Sequence, residues 1–350
     1  MKHYYISTFR GSSGISRYSR DFYDSVLEKR GYTFIDSEGT ISDILSVVSS
    51  RDHAHIEIGI FQKKEIEVLL LMLKADYGNI TVTLHDAPLF KYPFYEFRSP
   101  LLNKLSKACE LYGNSFGAAR PWLKRIKAIY VLTKKGMQMT RLKYGLDNVF
   151  YLPHIISAQA PDTEGKANKN FIYFGFIGKN KGLDYSLQLH ESILHTHPES
   201  HFYVVGSPLG SQKLYYDSLK EKYSQNVHYL GFVGDDKLAG VFNYATFALL
   251  FFRNYRHYAP ASGSLLQSLA RNKIVLTNNV NAIGEIIQDR KNGIFLSGDI
   301  AQDTHLIQQV LEDRQLVSEL KKEAYNYLLA CHSPDIVNRE FIHWPCYSPF

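Results

Sequence analysis

The chain has 350 residues, 45% of them apolar and 21% charged, which is more than one compact core usually takes and excludes a disordered chain. Its 40 Lys and Arg against 34 Asp and Glu leave +6, a balance that favours anionic partners without the dense basic tracts of a nucleic-acid packaging protein, so no nucleic-acid partner is expected. Cys109, Cys331 and Cys346 are too scattered for a disulfide framework or a zinc site and suit a reducing, cytoplasmic setting. The longest apolar runs, Val68 to Leu73 and Phe247 to Phe252, fall far short of the roughly 20 residues a membrane span needs.

A strand at Tyr4 to Ser7 runs into a polar loop with Gly11 and Gly14 and then a helix-period stretch from Ile15 to Lys29. The unit recurs, with strands expected near Tyr32 to Ile35, Ile56 to Ile60, Ile80 to Leu84, Ala128 to Leu132 and Val149 to Leu152. Lys63 to Lys74 and Lys134 to Tyr144 have helical period between them. This alternation predicts an α/β fold with a doubly wound parallel sheet over residues 1–156. The polar stretch 157–170 reads as a linker, and the alternation resumes over 171–330. There, strands are expected at Phe171 to Ile177, Phe202 to Val205, Val227 to Leu230, Phe247 to Phe252, Ile274 to Thr277 and Ile294 to Leu296. Asp303 to Cys331 is helical in period, and the aromatic tail 331–350 has to bury itself, with the first domain as one place for it.

Ligands of open α/β sheets bind beyond the carboxyl ends of strands, so the loops after strands are where chemistry is sought. Gly11 and Gly14 offer amides to an anion at a helix start, or simply make a turn. His85 and Asp86 follow a strand; the histidine can donate to a phosphate or sugar hydroxyl or carry a proton, or it can be a loop histidine satisfied by Asp86. Pro153-His154 reads mainly as a rigid turn out of a strand. Gly175 ends a strand, and Lys179 and Lys181 follow at a helix start, where a lysine would hold a diphosphate by charge. Ser262, Gly263, Ser264 and Leu265 open another helix and can form a second phosphate cradle, with ordinary N-capping as the plainer alternative.

In this order and spacing the residues resemble the GT-B glycosyltransferases of the family-4 type, bacterial enzymes that pass a sugar from a nucleotide diphosphate to a growing glycan. The resemblance rests on Gly175 with Lys181-Gly182-Leu183-Asp184, on Val204-Val205-Gly206, on Val227 to Val233, and on Ile274 to Asn279, Gly284 to Ile287 and Asn292-Gly293. In the first half it rests on Gly11 to Gly14, His85 and Pro153-His154. It implies two Rossmann-like domains facing across a cleft, an acceptor-binding one that includes Gly11 and Asp86, and a nucleotide-sugar-binding one. It implies donor contacts at Gly14, Gly175, Lys179, Lys181, Gly206, Ser262 to Leu265 and Gln267, with His85 and Lys181 catalytic. The family's two glutamates, eight positions apart, fall at Ala259 and Gln267, and its usual arginine falls at Phe176. The donor sugar site thereby loses a carboxylate, while Gln267 keeps the capacity to bond a ribose hydroxyl.

The implied activity is sugar transfer from a UDP- or GDP-linked donor to a glycan or lipid-linked acceptor in bacterial surface polysaccharide synthesis, retaining and without a resident cofactor. No Asp-x-Asp segment is present to hold a divalent metal on a diphosphate, so no metal site is expected. Residues 98–127 carry seven Lys and Arg against Glu110, interleaved with Leu101, Leu102, Leu105, Trp122, Leu123 and Ile126. Such a stretch suits an anionic membrane surface, or is a solvated face. Two other readings stay open: a catalytically silent sugar-nucleotide-binding partner subunit, and a GT-B nucleotide-sugar epimerase.

Overall fold

The computed structural model describes the chain except residues 11–13, 61, 91–98, 100, 103–104, 106–115, 162–166, 209, 256 and 342–350. The chain forms two compact units. One comprises residues 1–155 with the described parts of 256–261 and 334–350, the other residues 156–255 and 262–333.

In the first unit, β1 (His3–Ser7), β2 (Tyr32–Asp36), β3 (His53–Ile58), β4 (Ile80–Leu84), β5 (Ala128–Val131) and β6 (Val149–Tyr151) make one parallel sheet, ordered β2-β1-β3-β4-β5-β6. Helices α1 (Gly14–Phe22), α2 (Ile41–Val47), α3 (Lys63–Lys74), α4 (Phe116–Leu123) and α5 (Lys134–Tyr144) lie between the strands in sequence. Because side chains alternate along a strand, register decides what each face carries. One face is apolar: Tyr4, Ile6, Ala54, Ile56, Ile58, Val82, Leu84 and Ile129 share a core with Ile44 of α2 and Ile66, Leu69, Leu70 and Leu73 of α3. The pairings Tyr5 with His55, His55 with Thr81, Glu57 with Thr83 and Thr83 with Tyr130 put a polar row on the other face. Tyr18 and Phe22 of α1 cover that row.

In the second unit, β7 (Phe171–Phe174), β8 (Phe202–Val205), β9 (Val227–Gly231), β10 (Phe247–Leu250), β11 (Ile274–Thr277) and β12 (Ile294–Phe295) form a parallel sheet ordered β12-β11-β10-β7-β8-β9. Its helices are α6 (Leu183–Ile193), α7 (Lys213–Lys222), α8 (Asp235–Phe242), α9 (Gly263–Ala270), α10 (Ile300–Glu312) and α11 (Arg314–His332). The central strands β10 and β11 are buried along their whole length, as a sheet covered on both faces requires. The start of the unit is tied to this sheet by Asn168, whose Oδ1 accepts from the amide of Thr246 at 3.0 Å.

The elements depart from sequence expectation where local chemistry interrupts a pattern. The first helix is α-helical only to Phe22; Tyr23–Leu27 widens into a π turn and Glu28–Arg30 tightens into a 3₁₀ turn that ends at Gly31 with φ 74°. The widened turn lets Phe22 and Tyr23 both meet Tyr5, at ring-centroid distances of 6.1 and 6.0 Å. β3 begins and ends earlier than expected because His53, His55 and Glu57 are strand residues. The β7 strand stops at Phe174, since Gly175 turns to φ 138°. The helical period over Asp303 to Cys331 is realised as two helices: Asp313 caps the second by accepting from the amide of Leu316 at 2.9 Å.

The final described helix, α12 (Pro334–Phe341), belongs to the first unit. Arg30 grips it with two hydrogen bonds of 2.7 Å to Asn338. Phe341 sits edge-on to Phe22 at 5.2 Å and to His55 at 5.1 Å, and tilted against Tyr130 at 5.1 Å. Val337 and Phe341 thus complete the cover of the polar row. Phe341→Ala is expected to cost about 3 kcal/mol, the usual penalty for emptying a buried aromatic site, read as a lower urea midpoint at unchanged slope.

Candidate functional site

Strand order reverses at one place in each sheet, and crevices at such reversals, outside the strands' carboxyl ends, are where open α/β sheets bind ligands. In the second unit the chain passes from β7 to β8 and β9 on one side and returns to β10 on the other, so the reversal lies between β7 and β10. In the first unit the same argument places it between β1 and β3.

The β7–β10 reversal gathers most of the expected donor residues. Gly206, at φ 148°, is pressed against the end of β7 so closely that a Cβ there would lie 1.8 Å from the Gly175 carbonyl oxygen. Gly175 in turn faces Ser264, whose Cβ would be 3.3 Å from an added Cβ. Gly206 is thereby explained by packing, as the residue that lets the two strand ends touch. On the other side of β7, Lys179–Lys181 form a 3₁₀ turn, and Gly182, at φ 62°, packs against the backbone of Phe251, where a Cβ would be 2.0 Å from its oxygen. The loop is held there by the Arg253 amide, which donates to Asn180 at 3.1 Å. Lys181 Nζ lies 5.8 Å from the ring centroids of both Phe252 and Tyr255. Lys179 is exposed, and its amide donates to Gln212 Oε1 at 3.2 Å.

Helix α9 opens at the same reversal. Ser262 is its N-cap, accepting from the Leu265 amide at 3.4 Å and lying 3.2 Å from Ser264 Oγ. That cap occupies the Leu265 amide, and the Leu265 side chain is fully buried, so Leu265 serves the cap and the core. The amides of Gly263 and Ser264 donate to no group among the described residues. Gln267 is buried, and its amide oxygen accepts from Arg271 one turn later in the chain; that oxygen is already engaged. Asp184, the acid of the Lys-Gly-Leu-Asp segment, is bound by Arg253 at 2.7 Å and by the Tyr215 hydroxyl at 3.1 Å, a pairing the sequence did not announce.

In the first unit His85 follows β4 directly, its amide donating to Ile58 at 2.9 Å. Its Nε2 lies 2.7 Å from Glu57 Oε2, and Glu57 has no exposed side-chain surface at all. Tyr5 donates its hydroxyl to Glu57 Oε1 at 2.9 Å, and His55 Nε2 is 3.3 Å away from the same oxygen. Burial works against the Glu57 charge, but the neighbouring His55 and His85 outweigh it and hold the carboxyl at about 2. His55 is fixed in turn by Thr81 Oγ1 at 2.8 Å and Thr83 Oγ1 at 2.9 Å. Burial, with the neighbouring His55 and His3, pushes His53 down to about 3.

The remaining expected residues have structural partners or lie outside the described chain. Asp86 accepts from the Ile60 amide at 3.0 Å and braces the loop after β3. Gly14 is exposed at the start of α1, and Gly11 lies outside the described residues. His154 is buried, 3.0 Å from the Ile155 carbonyl through Nδ1, and edge-on to Tyr18. Ala259, where the resemblance expects a glutamate, is 1% exposed. Its amide donates to Ala87 at 2.8 Å and its carbonyl accepts from Thr133 at 2.7 Å, both within the first unit. Within 98–127, Arg98, Lys104, Lys107 and Glu110 lie outside the described residues. The amphipathic expectation is corrected for the later part: Leu123 and Ile126 are core residues, Trp122 packs on that core, and Arg125 pairs with Asp76 at 2.6 Å. Leu101, Leu102 and Leu105 are exposed. Among the described residues no helix is long and apolar enough to cross a membrane.

Residues 158–327 match the family model described as glycosyl transferases group 1. No curated protein matches the chain in sequence. Among solved structures, HepE from Anabaena, determined with UDP and glucose, is 13% identical with a TM-score of 0.71, over 97% of this chain and 98% of that one. Sucrose-phosphate synthase from Thermosynechococcus elongatus is 12% identical with a TM-score of 0.70, over 97% of each chain. TarM from S. aureus, determined with UDP and glycan ligands, is 12% identical with a TM-score of 0.65; 86% of this chain aligns, spanning 57% of TarM's length. The two parallel sheets with flanking helices are those of the GT-B fold.

Gly206→Ala is expected to destabilise the second unit by about 2 kcal/mol or more, since the methyl group meets a backbone oxygen and the φ is unsuited to it; thermal unfolding measures this. Stability is also expected to fall on acidification. His53 binds a proton more readily unfolded, at its ordinary 6.5, than folded, at about 3, so its contribution is lost as pH falls from about 6.5 to 3. For Glu57, ordinarily 4.5 and here about 2, the loss runs from about 4.5 to 2. Urea unfolding across this range is expected to show a flatter upper limb in His53→Gln and a flatter lower limb in Glu57→Gln.

Proposed function

We propose, for a chain that is a GT-B glycosyltransferase by fold and by the group 1 domain of its second unit, that it moves a sugar from a nucleotide diphosphate to a glycan or lipid-linked glycan. The observation that carries this reading is the β7–β10 reversal: Gly175 at the end of β7 faces Ser264 of α9, whose amide and that of Gly263 donate to no described group, and the turn that holds Lys181 packs through Gly182 on Phe251 after β10. A helix N-terminus with free N–H groups and a nearby ammonium is the arrangement that binds a diphosphate. A UDP- or GDP-linked sugar is the donor. The same groups stabilise the charge that develops on the diphosphate as the bond to the sugar breaks, and being fixed in advance they need not reorganise during the reaction. For His85 of the first unit, the assigned partner is a sugar hydroxyl. Transfer proceeds with retention at the anomeric carbon.

The acceptor belongs to bacterial surface polysaccharide synthesis and is handled by the first unit in the cytoplasm. Exposed Leu101, Leu102 and Leu105, in a stretch that also exposes Arg120 and Lys124, support a lipid-linked acceptor at an anionic membrane face. One observation favours a second reading: with Ala259 buried and Gln267 turned to Arg271, neither position presents a carboxylate. A partner subunit that binds nucleotide sugar without transferring it fits those two residues.

A thermal-shift series with UDP, GDP, ADP, CMP and dTDP, with and without Mg²⁺, tests the reading. One nucleotide at 100 times its dissociation constant is expected to add about 2.7 kcal/mol, and Lys181→Ala to weaken its binding at least about tenfold. Binding without sugar transfer or donor hydrolysis selects the silent partner. No stabilisation by any of the five would sink both.

A further inference from the structure

Stability at neutral pH does not by itself call for a carboxylate rather than an apolar side chain at Glu57. Taking a carboxylate fully out of water costs several kcal/mol, and an apolar residue of similar volume commonly serves a core as well or better. Glu57 lies in β3 at no exposure, on the face that α1 and α12 cover, and it gathers Tyr5, His55 and His85 around itself. Of these three, only His85 lies outside a strand, at the carboxyl end of β4. His85 is 9% exposed at its side chain. Tyr18 lies edge-on to it at 4.9 Å, and its one side-chain hydrogen bond among the described residues goes through Nε2.

The geometry points to Glu57 as the positioning residue of His85: its carboxylate keeps Nε2 protonated and fixes the ring, so that Nδ1 is the atom the ring offers to a sugar hydroxyl. An ionised carboxylate has only lone pairs to give, so at 2.7 Å the hydrogen lies on Nε2. The neutral ring then presents Nδ1 as an acceptor, and the protonated ring presents it as a donor. In both states Nε2 donates to Glu57, and only Nδ1 changes its role. His55 cannot take this part: Thr81 and Thr83 occupy both of its nitrogens. Tyr5 secures Glu57 from the far side, at the oxygen His85 leaves free.

This inference rests on the glycosyl-transfer reading only for the identity of the hydroxyl. The test is long-range ¹H–¹⁵N spectroscopy of the histidine rings of the full chain, with His85 assigned by its loss in His85→Gln. The expected spectrum has the His85 hydrogen on Nε2 in the free protein, an Nδ1 resonance that shifts on adding UDP-glucose, and a mixed or reversed tautomer in Glu57→Gln. Release of glucose from UDP-glucose is expected to slow at least about tenfold in Glu57→Gln, as for other partners that orient a working histidine. The His85→Gln/Glu57→Gln double variant is expected to lose no more than His85→Gln alone, since the two act as one unit. A wild-type ring with its hydrogen on Nδ1 overturns the inference even if Glu57→Gln does not fold. So does a folded Glu57→Gln protein with an unchanged tautomer or an unchanged release rate. The ring spectrum of the free protein needs no turnover, so failure to release glucose from UDP-glucose at all counts against the functional reading and leaves this test standing.

Discussion

Every strand pairing in both sheets is parallel, and the other features follow from that constraint. Parallel strands need crossover connections, and the crossovers lay helices on both faces, so central strands are hidden on both sides. All carboxyl ends then lie along one edge of each sheet. At the reversals of strand order, between β1 and β3 and between β7 and β10, the connections leave that edge to opposite sides. Residues far apart in sequence, Gly175, Gly206 and Ser264 among them, meet there for that reason.

The two units use their edges differently. In the second, backbone does most of the work: glycines at 182 and 206 allow main chain to touch main chain, and α9 opens at the reversal with two amides that donate to no described group. A cradle of amides suits a phosphate because it carries partial positive charge without a side chain's freedom to move. In the first unit a row of buried side chains does the work. Tyr5, His55, Glu57, Thr81 and Thr83 hold one another on a face that α1 and α12 seal with aromatic rings. The seal matters energetically, since hydrogen bonds and charge pairs strengthen when water is excluded, and a broken member leaves its neighbours unsatisfied.

Much of this was legible in the sequence. Alternation of apolar strands with helical periods gave two parallel sheets, because a strand buried on both faces has to be apolar along its length and a crossover helix has to be amphipathic. The strand-glycine-lysine pattern at Gly175 to Asp184 and the Ser262 to Leu265 helix start were readable because the backbone geometry they need is local. His85 was visible as a polar residue directly after an apolar strand. Glu57 was not, though His-Ala-His-Ile-Glu-Ile in a parallel sheet was its signal: polar residues at alternate positions of a strand that has no exposed face.

The elements and the loops that follow them depend on periodicity and turn chemistry over a few residues, so local sequence is enough to specify them. Which residues became partners depends on how those elements pack. Strand order and register are set by packing between distant segments, so the pairing of Glu57 with His85 had no local trace, and the aromatic tail showed that Phe341 must be buried but not that it would close the polar row. The same holds for the contact of Gly206 with Gly175, since a glycine's need for space shows only when the neighbour that fills it is in place.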